Sequence, residues 1–223
     1  MPTTQAIILF TRLPIPGQTK TRLMPRLTPL QCAALTRDML SCVVSAIRET
    51  GRDIFVFYTP HGDAYKDEIA DLKRICGPAE YRPQEGRDLG ERMDNALRYA
   101  LSRCGACVLI GSDIPSVKRV HIENAFSLLS ERDVVIAPTE DGGYWLIGMK
   151  EPFSGVFTLR SYGTDDVFAS ALAALGEGGK SVGIGERLRD MDTAEDLEHY
   201  ALFANALFKT HLIQVPPPSA DFT

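Results

Sequence analysis

Apolar residues fall along this chain in two rhythms. Mostly apolar runs at 6–10 (AIILF), 53–58 (DIFVFY), 106–110 (ACVLI) and 133–137 (DVVIA) are each bounded by turn formers or polar residues. Short runs of that kind predict buried strands. Between them, apolar side chains repeat with helical spacing. Leu35, Met39, Val43 and Ile47 recur every fourth residue behind Thr28-Pro29-Leu30-Gln31, a capping-box start with proline first, and the pattern stops at Gly51. Further helices are predicted over 64–72, 89–103 and 119–130, one starting at Thr164-Asp165-Asp166, and a last from Thr193 to about residue 209.

Strands alternating with helices predict an α/β fold with a mainly parallel sheet. One break changes the picture. DVVIAP and YWLIGM are separated only by residues 139–143 (TEDGG), too short for a helical crossover, so these strands run antiparallel and the sheet is mixed. No linker divides the chain, which predicts one domain over 1–213 and a disordered tail over 214–223.

Composition adds a few exclusions. With 44% apolar and 24% charged residues in 223, the chain has the balance of an ordinary globular protein. A net charge of -5 argues against a general nucleic-acid binder. Five cysteines, no leader pattern and no window of about 18 apolar residues point to the cytoplasm, with no membrane span. Cys104-Gly105-Ala106-Cys107 is a single CxxC pair, expected to be buried packing. No GxSxG or HExxH occurs, and His121 and His199 read as surface or partly packed helix residues.

Charge is segregated, however. Arg12, Lys20, Arg22, Arg26 and Arg37 all precede the first acidic residue, Asp38. FTRLPIPGQTKTRL therefore ends the first strand in a stiff turn that displays cations, which suits a small anionic ligand. It is not a P-loop, because Thr19 stands where glycine must precede the lysine. On this reading Lys20 and Arg22 are exposed loop charges that contribute little to stability.

Three more polar clusters follow strands or open helices: Gln84 to Met93 (QEGRDLGERM), Gly111-Ser112-Asp113-Ile114-Pro115, and Glu140 to Trp145 (EDGGYW). In open α/β sheets such loops surround one crevice beyond the carboxyl ends of the strands. Asp113, just past a buried strand, is placed to hold a magnesium or manganese ion, or simply to cap its turn. Asp141-Gly142 is a hairpin signal, while Gly143 and Tyr144-Trp145, which a hairpin does not require, would admit a ligand's close approach and stack on it. Trp145 reads as core, and Asp190 and Asp192 (RDMDT) as helix caps, with a metal role for Asp192 the alternative.

FTRLPIPGQTKTRL, DLGERM, GSDIP, APTEDGGYWLIG and RDMDTAEDL, in that order, resemble a bacterial glycosyltransferase family. Its members include radical-SAM- or selenodomain-associated transferases, some linked to arsenosugar synthesis. That family is similar to the nucleotide-diphospho-sugar transferases of GT-A fold. It also looks like nucleotidyltransferases that make molybdenum-cofactor dinucleotides and the guanylylated phospholactate precursor of a deazaflavin cofactor.

The resemblance implies a GT-A-like three-layer fold in which Arg12, Gly17, Lys20, Arg22 and Arg92 meet the nucleotide. It implies Mg2+ or Mn2+ on Asp113, with Asp192 a second ligand, and catalytic roles for Lys20, Arg22 and Asp113. Asp141, Gly142, Gly143 and Tyr144 would line the acceptor or sugar side. Two departures stand out. The glycosyltransferase Asp-x-Asp is here Ser112-Asp113-Ile114, nearer the nucleotidyltransferase pattern, and the late Trp-Ser-Thr is Tyr162-Gly163-Thr164. The expectation is transfer from a nucleotide-diphospho-sugar to a small acceptor. Nucleotidyl transfer from a nucleoside triphosphate is the alternative, and nucleotide binding without catalysis a third.

Overall fold

The computed structural model describes residues 4–158 and 167–201. Seven strands, β1 (Gln5–Arg12), β2 (Asp53–Thr59), β3 (Glu80–Pro83), β4 (Ala106–Gly111), β5 (Val134–Pro138), β6 (Tyr144–Met149) and β7 (Val182–Ile184), form one sheet in the order β3-β2-β1-β4-β6-β5-β7. Only β6 is antiparallel to its neighbours, β4 and β5. The sheet is thus mixed and mainly parallel, as the short TEDGG connection requires.

The pleat sorts the core into two layers. Ile7 and Leu9 of β1 pack with α1 (Pro29–Arg48), α2 (Lys66–Cys76) and α4 (Arg119–Glu131) on one face. Ala6, Ile8 and Phe10 pack with α3 (Leu89–Leu101) and α5 (Val167–Glu177) on the other. Each large side chain so buried is worth about 1.5–3 kcal/mol relative to exposure. A third cluster joins Leu23, Leu35 and Met39 to Met191, Leu197 and Tyr200, seating the loop after β1 against α6 (Ala194–Ala201) and the segment before it. β6 fits between β4 and β5 only because position 148 is glycine. A Cβ there would stand 2.6 Å from Val108 Cγ1 and 2.9 Å from the Cys107 carbonyl oxygen.

α1 starts at the expected capping box, with the Thr28 amide donating to Gln31 Oε1 at 2.9 Å and the Gln31 amide to Thr28 Oγ1 at 3.3 Å. It is long and apolar enough to cross a bilayer, contrary to the expectation that no window is, but Leu35, Met39, Val43 and Ile47 are buried in the protein core. None of the five cysteines is in a disulfide, and Cys104 and Cys107 are buried as packing residues. β3 and β7 are elements the apolar pattern does not announce, and α2 runs one turn beyond Leu72. The predicted helix start at 164–166, the course of the last helix beyond Ala201 and the tail at 214–223 lie outside the described residues.

Candidate active site

The parallel strands all end at one edge of the sheet, and a cleft of about 640 Å³ opens there. It is lined by the ends of β1 and β4, the loop after β1, the segment joining β3 to α3, and the start of β6. Its charged lining is Arg12, Lys20, Arg22 and Arg92 against Asp88, Asp113 and Asp192. Asp88 is occupied as the cap of α3, its Oδ1 accepting from the Glu91 amide at 2.8 Å. Arg12 and Arg92 have no carboxylate partner among the described residues; Arg92 Nε donates to the Gly86 carbonyl at 3.0 Å.

Lys20 corrects the sequence reading. Its side chain is only 4% exposed, and Nζ lies 2.9 Å from Asp113 Oδ1 and 3.6 Å from Asp192 Oδ1. Arg22, which is exposed, reaches Asp192 Oδ2 at 2.7 Å. Lys20 is therefore a buried counterion, and Asp192 an ion-pair partner rather than a helix cap. The cap of α6 is made by Thr193 and Asp196, whose Oδ2 accepts from the Thr193 amide at 2.7 Å.

The loop is built to hold that lysine still. The Leu13 amide donates to the Thr59 carbonyl at 2.7 Å, and the Gln18 amide to that of Ile15 at 3.1 Å around Gly17, whose φ is 82°. Thr19 and Thr36 share a buried hydroxyl contact of 3.1 Å, tying the loop to α1. Lys20 itself has φ 49°, alone among described non-glycine residues in the left-handed region. That conformation is disfavoured for a residue with a Cβ. Gly17 shapes the turn but does not line the cleft.

Of the residues assigned to the sugar or acceptor side, Tyr144 lines the cleft, whereas Asp141, Gly142 and Gly143 close the hairpin beside it. Asp141 Oδ1 accepts from the Gly143 amide at 3.0 Å and from the Thr139 hydroxyl, the turn role that Asp-Gly suggests. Trp145 is buried as expected, yet it also borders the cleft and donates Nε1–H to the Glu186 carbonyl at 3.0 Å. His121 packs edge-on to Trp145, and burial lowers its pKa; His199 is exposed.

Two residues acquire roles that the sequence reading did not give them. Gln84 is 6% exposed and donates Nε2–H to the carbonyls of Thr11 (2.9 Å) and Phe57 (3.1 Å), joining the ends of β1 and β2 under the cleft. A buried glutamine directly after a strand-ending proline is the only hint the sequence carries. Asp190, read as a cap, is half-buried, and desolvation together with the neighbouring Asp141 charge pushes its pKa up to about 6. Arg189 locks this segment, with Nε 2.7 Å from Asp196 Oδ1, and the Met191 amide donates to the Asp113 carbonyl at 3.0 Å.

Chemically, the cleft offers clustered cations for phosphate and two convergent carboxylates. Among the described residues no three Asp, Glu, His or Cys side chains gather as a ready cage. Two hard oxygen donors with the remaining positions left to phosphate and water are the donor set that Mg2+ and Mn2+ accept. The residues fit such an ion.

Fold and site together define an enzyme of the transferase class, on the scaffold shared by nucleotide-diphospho-sugar transferases. The chain belongs to the DUF2064 family, described as an uncharacterized protein conserved in bacteria, whose model matches residues 42–164. A "putative nucleotide-diphospho-sugar transferase" from Desulfovibrio desulfuricans G20 superposes with a TM-score of 0.83 at 30% identity, over 92% of this chain and 90% of that one. The chain is 26% identical to the 2-phospho-L-lactate guanylyltransferase of Methanothermobacter thermautotrophicus, over 80% of this chain and 76% of that protein. A manganese complex of Rv0371c from Mycobacterium tuberculosis shares the fold alone, at a TM-score of 0.54 and 14% identity, over 89% and 98% of the two chains.

Proposed function

We propose that the protein is a nucleotidyltransferase. It takes a nucleoside triphosphate, with GTP the first candidate, and couples its nucleoside monophosphate to a phosphorylated small molecule. This reverses the order of the sequence expectation, which put glycosyl transfer first. The observation that carries the reading is the set of four cations along one cleft, two of them without carboxylate partners among the described residues, beside a two-carboxylate cation position. A triphosphate brings more charge to neutralise than a sugar diphosphate. The guanylyltransferase likeness over most of the chain supports the same choice.

In the proposed reaction an acceptor phosphate oxygen attacks the α-phosphorus in line, the α–β P–O bond breaks, and pyrophosphate leaves. Arg12 and Arg92 bind phosphate oxygens, and Lys20 and Arg22 turn from their carboxylates toward the charge that grows on the leaving group. Cations that meet the developing charge, with both reactants held in register, supply most of the rate enhancement in phosphoryl-type transfers. Asp113 and Asp192 would hold Mg2+ or Mn2+, which supplies further neutralisation of phosphate charge when bound. Tyr144 and the Asp141–Gly143 turn stand on the acceptor side.

The test is incubation with nucleoside triphosphates and nucleotide sugars, plus manganese and a panel of phosphorylated acceptors. Pyrophosphate release is the expected result. Release of a nucleoside diphosphate from a nucleotide sugar is the outcome of the second reading, favoured by the Desulfovibrio likeness. Tight nucleotide binding with neither product would leave the non-catalytic reading.

A further inference from the structure

The Lys20 ammonium stands where a divalent cation would have to stand. Its Nζ is within 3.6 Å of carboxylate oxygens of both Asp113 and Asp192, and its side chain is almost wholly buried. This is not a wandering surface lysine. The left-handed backbone at residue 20, the Thr19–Thr36 contact and the Leu23 amide donating to the Lys20 carbonyl at 2.9 Å all fix where the side chain starts. Arg22 takes the second oxygen of Asp192. Asp113 is half-exposed and open to the cleft.

We propose that Lys20 is a built-in occupant of the cation position. It keeps free divalent metal out of the Asp113–Asp192 pair until a polyphosphate arrives to receive the ammonium. An ammonium and a divalent cation repel at such separations, and lysine has no lone pair to offer a metal while protonated. Metal alone must therefore expel a buried charge with nowhere to go. A nucleotide changes that, because its phosphates, drawn by Arg12 and Arg92, give the ammonium a new anionic partner and bring oxygen ligands with them. Metal and nucleotide then bind as one event, with each raising the affinity of the other. The inference rests on the nucleotide reading of the cleft but not on the bond the enzyme breaks.

Binding of Mn2+ measured by electron paramagnetic resonance tests this without turnover. Wild type should hold Mn2+ weakly alone and at least about tenfold more tightly with tripolyphosphate present. Lys20→Met keeps the length of the stem and removes the charge, and Lys20→Gln does so with a polar end. Both should bind Mn2+ without any polyphosphate at least about tenfold more tightly than wild type. That gain should vanish when Asp113→Asn is added. Equal Mn2+ affinity of wild type with and without tripolyphosphate overturns the proposal, whether or not the variants fold. So does a neutral variant that binds Mn2+ no better than wild type, or a gain that survives Asp113→Asn. Since no product is scored, absence of pyrophosphate release in the activity assay leaves this result standing, and the reverse holds as well.

Discussion

Replacing Asp190 with asparagine should stabilise the protein at neutral pH and do almost nothing in acid. The carboxyl is half-buried and faces the charges of Asp141 and Asp196, against which Lys20 offers only partial relief, so its pKa rises from 3.8 to about 6. The folded state therefore holds a proton that the unfolded state has already lost. Below the unfolded pKa both states are protonated and the charge costs nothing. As pH rises through about 6 the folded protein must bear the charge, and the full penalty is present above that. A two-unit shift corresponds to a ceiling of about 3 kcal/mol, which solvent screening of a half-buried group reduces to roughly 1 kcal/mol. For a chain of this size that is a rise in Tm of roughly 2–4 °C. Thermal unfolding of wild type and Asp190→Asn from pH 4 to pH 8 measures it. The gain should be present at pH 7.5, shrink through pH 6 and be lost near pH 4. A difference that does not change with pH, or a variant less stable at pH 7.5, refutes the assignment of this charge.

Three further outcomes follow from the cleft. Arg12→Ala should weaken nucleotide binding by about tenfold in calorimetry while changing stability by less than about 0.5 kcal/mol, since the side chain is exposed and has no carboxylate partner among the described residues; unchanged affinity would remove Arg12 from the phosphate path. Asp113→Asn should abolish the manganese-dependent gain in nucleotide affinity with folding retained, and thermal shifts with nucleotide, metal and both would show whether it does. Gln84→Met strips the Thr11 and Phe57 carbonyls of their donor and should cost about 2–4 kcal/mol in denaturant unfolding; an unmoved midpoint would mean that those carbonyls find water instead.

The centre of the fold is legible in the sequence because burial on both faces demands unbroken apolar runs. AIILF, ACVLI and DVVIA lie in the inner strands β1, β4 and β5. β3 (EYRP) and β7 (VGI) lie at the sheet edges, are short and half-exposed, and so need no apolar run to form. The site divides in the same way. Asp113, Arg12 and Lys20 stand out because they follow recognisable strands. The burial of Lys20 cannot be read locally, since its partners lie about 90 and 170 positions further along the chain. Asp141 closes a turn, with Oδ1 accepting from the Gly143 amide, and a turn and a binding loop ask for the same residue types, so the local sequence does not separate the two roles.

The pairing of Arg22 with Asp192 spans 170 residues, and the Met191 amide closes on Asp113 only after all seven strands have been laid down. At ordinary rates of synthesis roughly 10–30 seconds separate the emergence of the two partners from the ribosome. Throughout that interval the nascent sheet can assemble around β1 and β4 while the cleft still lacks Asp192, one of the two carboxylates that pair with Lys20. The paired carboxylate position thus forms only once the RDMDT stretch has emerged. A stalled or shortened product ending before the RDMDT stretch would carry the cationic loop and most of the sheet, yet it could not form the paired position that Lys20 occupies.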